Sequence, residues 1–211
     1  MNYLAHLYLA SDSPDAILGS LMGDFVKGEV DPSLPPIMHA SIIQHRRIDS
    51  FTDSHPIVKR SKQRLDPSYR RYAGILVDMF YDHFLARDWS HHASQPLNEF
   101  SNRVYAAVKT RQRELPANMQ RTAHYLVASD LLGSYASIAG IDRALKGVAT
   151  RLSRPSPLGQ ASTELMRLED RLHEDFTAFL PELLAYVDLH EDACVVPASE
   201  PFAHRKRVQT R

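Results

Sequence analysis

Aspartate and histidine side chains interrupt an otherwise apolar segment in the first half of the chain. Residues 74–85 are apolar on nearly every helical face, which indicates a buried helix. The interruptions are Asp78, Asp82 and His83. A buried ionised carboxylate is costly unless it is paired or bound to a cation, and two carboxylates one turn apart also repel each other. A divalent metal ion would remove both penalties, and a network of ion pairs with arginine is the structural alternative.

A second predicted helix, which follows a pair of prolines, departs from an apolar stripe in a similar way. Met38, Ile42, His45 and Asp49 lie on successive turns of one face, and Asp53 extends the row. An imidazole and a carboxylate four residues apart can direct two ligand atoms toward one ion. The alternative is a His–Asp salt bridge at the surface of the helix.

Two further candidates lie nearer the beginning of the chain. Asp24 occupies a turn bounded by Gly23 and Gly28, from which a side chain can point into a cleft without helical restraint. The alternative for Asp24 is a turn or capping aspartate. His6 lies on a short apolar segment, where a hydrogen-bonded core histidine and a ligand are both reasonable interpretations.

These residues offer nitrogen and oxygen ligands but no thiolate site, because Cys194 is the only cysteine. Such a set suits Mn²⁺, Fe²⁺ or Mg²⁺. The sequence has no P-loop, dinucleotide fingerprint, nucleophile elbow or Cys-x-x-Cys motif, so we predict phosphoester hydrolysis by a water that the metal activates. Guanidinium groups would hold the phosphate oxygens. The predicted assignments are Asp24, His45, Asp78, Asp82 and His83 as metal ligands, Asp24, Asp49, Arg46 and Arg47 as catalytic residues, Arg87 as a substrate-binding residue, and His6 and Asp53 as further candidates.

The elements that must position these residues are helices. Prolines punctuate a helical periodicity along the 211 residues, and alternating strand patterns are scarce. We therefore predict an all-α, single-domain helical bundle over residues 1–193, followed by a flexible tail over residues 194–211. The predicted helices cover residues 2–10, 14–23, 36–53, 69–89, 96–113, 119–135, 138–152 and 160–190.

Composition narrows the class of protein. The formal net charge is zero, so overall electrostatics favours neither nucleic acid nor membrane as a partner. A single cysteine suits a reducing compartment, and neither a signal peptide nor a membrane span is visible in the sequence, so we expect a cytoplasmic protein. Basic residues nevertheless dominate between residues 46 and 113, which could form a local face for an acidic partner. The oligomeric state is not predicted.

Four motifs together resemble a known family, the acyl carrier protein phosphodiesterases, also called acyl carrier protein hydrolases. They are MNYLAHL at residues 1–7, GDFVKG at 23–28, HRRIDSFTD at 45–53 and DMFYDHFLARDW at 78–89. The resemblance extends over about residues 1–185 in the order and spacing of the family. The sequence departs from the family pattern at Leu131, where we would expect a tryptophan.

The resemblance implies a reaction and a metal. The implied reaction removes the 4′-phosphopantetheine arm from holo acyl carrier protein by cutting its phosphodiester bond to a serine. It implies a divalent metal, preferably Mn²⁺, and a distant relation to the all-helical HD-type phosphohydrolases. Asp24 matches an aspartate that the family needs for activity. Asp82 and His83 stand in the inverse order of the usual His-Asp pair, so ligand assignments do not carry over from HD enzymes.

The partner that the resemblance implies, acyl carrier protein, is small and acidic. A basic stretch of this sequence would attract it electrostatically. The predicted docking rim consists of Lys59, Arg60, Lys62, Arg64, Arg70 and Arg71.

Two other functions are compatible with these residues. An HD-like phosphohydrolase acting on a nucleotide or another small phosphoester would use the same metal site. A helical module that binds carrier protein without catalysis would carry the buried charges only for structural reasons.

Overall fold

Prolines fix where several helices begin. The computed structural model describes residues 1–190 and Arg205, and within them Pro14, Pro36 and Pro56 each occupy the first turn of a helix. The sequence predicts the helices at Pro14 and Pro36, whereas the helix at Pro56 lies outside the predicted ranges. The Ser13 hydroxyl caps the first of these by accepting a hydrogen bond from the Ala16 backbone (3.1 Å). The helices are α1 (Tyr3–Tyr8), α2 (Pro14–Met22), α3 (Pro36–Ser54), α4 (Pro56–Arg64), α5 (Ala73–Arg87), α6 (Trp89–His92), α7 (Leu97–Thr110), α8 (Ala117–Ala128), α9 (Leu131–Ser134), α10 (Ile138–Ala149) and α11 (Ser162–His190), with short 3₁₀ helices at Pro67–Tyr72, Gln112–Glu114 and Pro157–Gln160.

The prediction of an all-α fold is confirmed. Among residues 1–190 and Arg205, extended pairing is limited to one isolated bridge between Ala93 and Arg205. The predicted domain end at residue 193 and the tail over 194–211 lie outside the described residues, apart from Arg205. The relation to HD-type enzymes stays a prediction. In the described part of the chain, no helix combines the length and the apolar character that crossing a membrane requires.

Two predicted helices are divided. The region predicted as one helix over 69–89 consists of a 3₁₀ helix followed by α5 and α6. The region predicted over 119–135 is broken at Asp130, which adopts the left-handed conformation with φ of 45°. Aspartate tolerates this conformation better than most residues, and its carboxylate accepts a hydrogen bond from the Tyr105 hydroxyl (2.9 Å). The break lets α9 turn away from α8.

The helix α5 runs through the centre of the core. Leu76, Phe80 and Phe84 are completely buried on it, and the helix contacts α1, α4, α10 and α11. A second close contact joins α2 to α3, where a Cβ atom at Gly19 would lie only 2.4 Å from the Met38 carbonyl oxygen. This close approach places the end of α2, and the turn after it, directly on the face of α3 that carries His45.

Candidate active site

Side chains from three segments converge on one point. His6 comes from α1, His45 and Asp49 come from α3, and Asp24 comes from the turn after α2. The two imidazole rings stack at a centroid distance of 3.7 Å with 11° between their planes. Asp49 contacts both, with Oδ1 3.0 Å from His6 Nε2 and Oδ2 3.2 Å from His45 Nε2. Ligand atoms of His6, His45 and Asp49 all lie within 4.8 Å of one another, which is close enough to share an ion.

The orientation of His45 is fixed from behind. Its Nδ1 atom lies 2.8 Å from the Ser20 carbonyl oxygen and donates to it, so Nε2 faces the carboxylates. This Nε2 atom is buried. Asp24 Oδ1 lies 3.4 Å from it, but Nε2 forms no hydrogen bond of good geometry with any described residue. A backbone carbonyl that holds one ring nitrogen while the other is left for an ion is the usual arrangement of a metal-bound histidine. The donor set therefore fits a cation.

The carboxylates of Asp24 and Asp49 favour a positive charge on the ring of His45. Burial alone would lower the pKa of His45, but the neighbouring Asp24 and Asp49 raise it to about 9. Burial works against ionisation of Asp49 as well, and contacts with His45 and His6 nevertheless lower its pKa. The pKa of His6 falls to about 4, because the ring is buried and lies against His45. Without a metal ion, a proton on His45 balances the two carboxylates, and a metal ion would replace that proton.

The cluster borders a cleft of about 260 Å³. Asp24 and Asp49 line it together with Asp78, whose Oδ1 accepts a hydrogen bond from the nitrogen of Met1 (3.0 Å). Asp53 also lines the cleft and contacts Lys62 Nζ at 2.7 Å. The opposite wall comes from the second half of the chain: Tyr125, Leu131, Tyr135, Ala144, Val148 and Arg151.

Sequence reasoning missed this second wall. Its residues are apolar or aromatic, apart from Arg151, and they lie far in sequence from the acidic motifs. The only signal was the departure from the family pattern at Leu131, which does line the cleft.

Arg46 lies beside the cluster but is engaged with the turn that carries Asp24. Its Nη2 donates to the Val26 carbonyl (2.6 Å) and its Nη1 to the Gly28 carbonyl (2.7 Å). Gly28 has φ of +73°, a conformation that glycine adopts without strain. Arg46 therefore holds the turn in place, and its predicted role as a phosphate ligand is secondary to this contact.

Asp82 and His83 do not join the cluster: backbone groups bind both oxygens of Asp82 and Nδ1 of His83. Nε2 of His83 is buried without a hydrogen-bond partner among the described residues, like Nε2 of His45, but it lies outside the group that can share an ion. Asp82 is fully buried, and its oxygens accept hydrogen bonds from the Leu4 (2.8 Å) and Ala5 (3.1 Å) amides at the start of α1. His83 Nδ1 donates to the Tyr135 carbonyl (2.7 Å). Adjacent residues on a helix point about 100° apart, so Asp82 and His83 reach different neighbours. We remove both from the proposed ligand set.

Two of the predicted arginines also lie away from the cleft. Arg87 forms ion pairs with Asp88 (2.9 Å) and Glu169 (2.9 Å), which tie α5 to α11. Arg47 borders a small cavity with Tyr186 on the side of α3 that faces α11. Neither lies where a substrate in the cleft would contact it.

The predicted docking rim divides into two groups. Arg60 and Arg64 pair with the buried Asp175, at 2.6 Å and 2.8 Å, and thereby neutralise a carboxylate of α11. These two arginines therefore stabilise the packing of α4 against α11, and Lys62 is likewise paired, with Asp53. Lys59, Arg70 and Arg71 are exposed.

Two histidines and two aspartates that meet at the edge of a cleft, in an all-helical protein, form the kind of site that metal-dependent hydrolases use. The family model for acyl carrier protein phosphodiesterase matches residues 1–183. The acyl carrier protein phosphodiesterase of Yersinia pestis is 32% identical over 185 residues, which cover 87% of this chain and 96% of that protein. That of Escherichia coli O139:H28 is 35% identical over 186 residues, covering 88% and 96%. No solved structure matches the chain.

The chain is therefore a phosphoric diester hydrolase. It belongs to the acyl carrier protein phosphodiesterase family.

Gly23 provides a direct test of the site geometry. A Cβ atom at this position would lie 2.2 Å from Cγ and 2.4 Å from Cδ2 of His45, so Gly23→Ala must displace the imidazole or the turn. We expect phosphodiesterase activity to fall about 100-fold, since displacements of about 1 Å in an active site have effects of this size. Gly159→Ala, whose Cβ would meet only Lys146 at an ordinary 3.7 Å, is the matched control and should keep full activity. Undiminished activity of Gly23→Ala would contradict the geometry described for His45.

Proposed function

We propose that this enzyme hydrolyses the phosphodiester bond between 4′-phosphopantetheine and the serine of holo acyl carrier protein, using a divalent metal ion. Mn²⁺ is the first candidate, and Mg²⁺ and Fe²⁺ are the alternatives. The names of the relatives support the substrate. The observation that supports the metal is the convergence of His6, His45 and Asp49 on one point at the edge of the cleft.

The residues that would hold the ion are His6, His45 and Asp49, with Asp24 as a fourth ligand on the side of His45. Their nitrogen and carboxylate donors match the preferences of Mn²⁺ and Fe²⁺. When bound, such an ion lowers the pKa of a water molecule and neutralises charge on a phosphoryl group.

The protein contributes orientation and charge. Ser20 and Asp49 hold the two imidazoles, and Arg46 holds the turn that presents Asp24. Asp78 lines the same cleft but is not within the group that can share an ion. Its Oδ1 is paired with the nitrogen of Met1, and its Oδ2 would orient a water or accept its proton. Arg151 is exposed and also lines the cleft, where it can pair with a phosphate oxygen.

Mass spectrometry of holo acyl carrier protein tests the reaction. Incubation with the Mn²⁺-loaded enzyme should remove the mass of the phosphopantetheine arm, and a chelator should prevent this. Asp24→Asn should slow the reaction about 100-fold, because it weakens both metal binding and the charge balance at His45. Asp31→Asn, an exposed aspartate a few residues farther along, should act like the wild type.

Three results would contradict this proposal in different ways. Cleavage that a chelator does not affect would exclude the metal. Hydrolysis of small phosphoesters without cleavage of holo carrier would favour the HD-like phosphohydrolase. Binding of carrier without hydrolysis and without metal would favour the non-enzymatic module.

We propose further that the exposed basic residues Lys59, Arg70 and Arg71 dock the acidic carrier. Arg70 and Arg71 lie in the last turn of the 3₁₀ helix that leads directly into α5, whose Ile75 and Asp78 line the cleft. Docking by charge acts mainly on association and specificity.

Charge reversal separates docking from chemistry. Arg70→Glu combined with Arg71→Glu should raise KM for holo carrier about 10-fold while leaving hydrolysis of a small phosphodiester unchanged. Arg113→Glu, an exposed arginine between α7 and α8, is the control and should alter neither reaction. An equal loss on both substrates would contradict the docking assignment.

A further inference from the structure

Tyr3 is a residue of the cleft that has no part in the metal cluster. It belongs to the first motif of the sequence, which contributes His6 to that cluster. Tyr3 is the first residue of α1, is half-buried, and lines the cleft together with Asp24, Asp78 and Arg151. Its phenol therefore shares one cavity with the acidic groups and with the cation that can pair with a phosphate oxygen.

The backbone around Tyr3 is held on both sides. The nitrogen of Met1 donates to Asp78 Oδ1 (3.0 Å), and the Leu4 amide donates to Asp82 Oδ2 (2.8 Å). Asp78 and Asp82 occupy successive turns of α5, so that helix holds the start of α1 at two points. Tyr3 lies between these two contacts, and its phenol is thus presented to the cleft from a restrained backbone.

Two opposite charges reach the phenol of Tyr3. Its pKa rises to about 12, first because the phenol is withdrawn from water and then because the Asp24 carboxylate is near, whereas the Arg151 guanidinium acts in the opposite direction. Asp24 is a proposed metal ligand, and Arg151 is the proposed partner of a phosphate oxygen. A phosphoryl group held between them would therefore lie beside the phenol.

The hydroxyl of Tyr3 is available as a donor. It forms no hydrogen bond with any residue that the structure describes. Burial opposes ionisation of Asp24 and Asp49, but contacts with His45 lower the pKa of both, so these carboxylates have no proton to give at neutral pH. The guanidinium of Arg151 does not release its proton. Tyr3, in contrast, keeps its proton at neutral pH and can direct it at a substrate.

The reaction requires such a proton at the departing oxygen. In the proposed function, on which this inference rests, a water oxygen forms a bond to phosphorus and its proton passes to Asp78. The bond between phosphorus and the serine oxygen breaks and leaves its electron pair on that oxygen. We propose that Tyr3 is the general acid, whose phenol gives its proton to the departing serine oxygen. The resulting phenolate regains a proton from solvent.

Leaving groups that differ in basicity test this role. Tyr3→Phe keeps the ring and removes the proton. With holo acyl carrier protein, whose leaving group is an alkoxide, kcat should fall about 100-fold while KM changes by less than about 2-fold. With bis(4-nitrophenyl) phosphate, whose 4-nitrophenolate departs without a proton, the loss should be no more than about 2-fold.

The control is Tyr186→Phe, which removes the hydroxyl of another half-buried tyrosine, on the side of α3 that faces α11. It should leave both rates unchanged. An equal loss of kcat on both substrates in Tyr3→Phe would indicate a structural role and would overturn the assignment. A rise in KM alone, or no loss on either substrate, would overturn it as well.

A pair of aryl diesters separates this inference from the proposed function. If the wild type does not cleave holo carrier, the proposed function fails, and methyl phenyl phosphate can still be compared with methyl 4-nitrophenyl phosphate. Tyr3→Phe should slow the release of phenol about 10-fold more than the release of 4-nitrophenol, because phenolate is the more basic leaving group. Equal effects, or no hydrolysis of either compound, would overturn the inference. Where holo carrier alone is hydrolysed, the split between kcat and KM decides, with unchanged Mn²⁺ affinity as the check that the cluster is intact.

Discussion

The structure of the site depends on one contact, the imidazole of His45 facing the carboxylates of Asp24 and Asp49. The ring is buried, and one of its nitrogens is already committed to the Ser20 carbonyl. The other nitrogen is also buried, and it lies 3.4 Å from Asp24 and 3.2 Å from Asp49, whose carboxylates are partly exposed. These two negative charges favour a proton or a metal ion on the ring, which is why the pKa of His45 rises to about 9 despite its burial.

The surrounding fold serves this contact. The close packing of α2 on α3 at Gly19 brings the following turn onto the ring, and Gly23 leaves room for it. Arg46 then holds the turn by donating hydrogen bonds to two of its carbonyl oxygens, which keeps Asp24 next to His45. The four proposed metal ligands thus all lie in the first third of the chain, while later segments provide the opposite wall of the cleft.

Two other buried aspartates take their partners from the protein itself. Asp82 accepts hydrogen bonds from two backbone amides at the beginning of α1, but its complete burial still raises its pKa to about 7. Asp175 is neutralised by Arg60 and Arg64 and also accepts a hydrogen bond from Ser61. A buried aspartate therefore indicates that a partner is required. Only the tertiary structure shows whether that partner is a backbone amide, an arginine or a metal ion.

This distinction explains what the sequence could predict. Proline positions and helical periodicity identified most helices, and the stripe that ends in His45 and Asp49 was located by spacing alone, because these signals are local. Asp82 and His83, also predicted as ligands, lie apart from this group, and the sequence could not show this because their backbone partners lie about 50 to 80 positions away and carry no distinctive side-chain pattern. The break at Asp130 escaped prediction because aspartate permits the left-handed backbone but also occurs within helices, so its residue type alone does not indicate a break.

The most direct test compares two buried histidines whose rings are held in the same way. His45 and His83 each donate Nδ1 to a backbone carbonyl, at 2.8 Å and 2.7 Å, but only His45 faces the carboxylates. Titration of the purified protein with Mn²⁺, followed by electron paramagnetic resonance, should show binding to the wild type and to His83→Gln. In His45→Gln the affinity should fall about 100-fold while the helical circular dichroism is retained. Loss of Mn²⁺ binding in folded His83→Gln, with His45→Gln unaffected, would contradict the account.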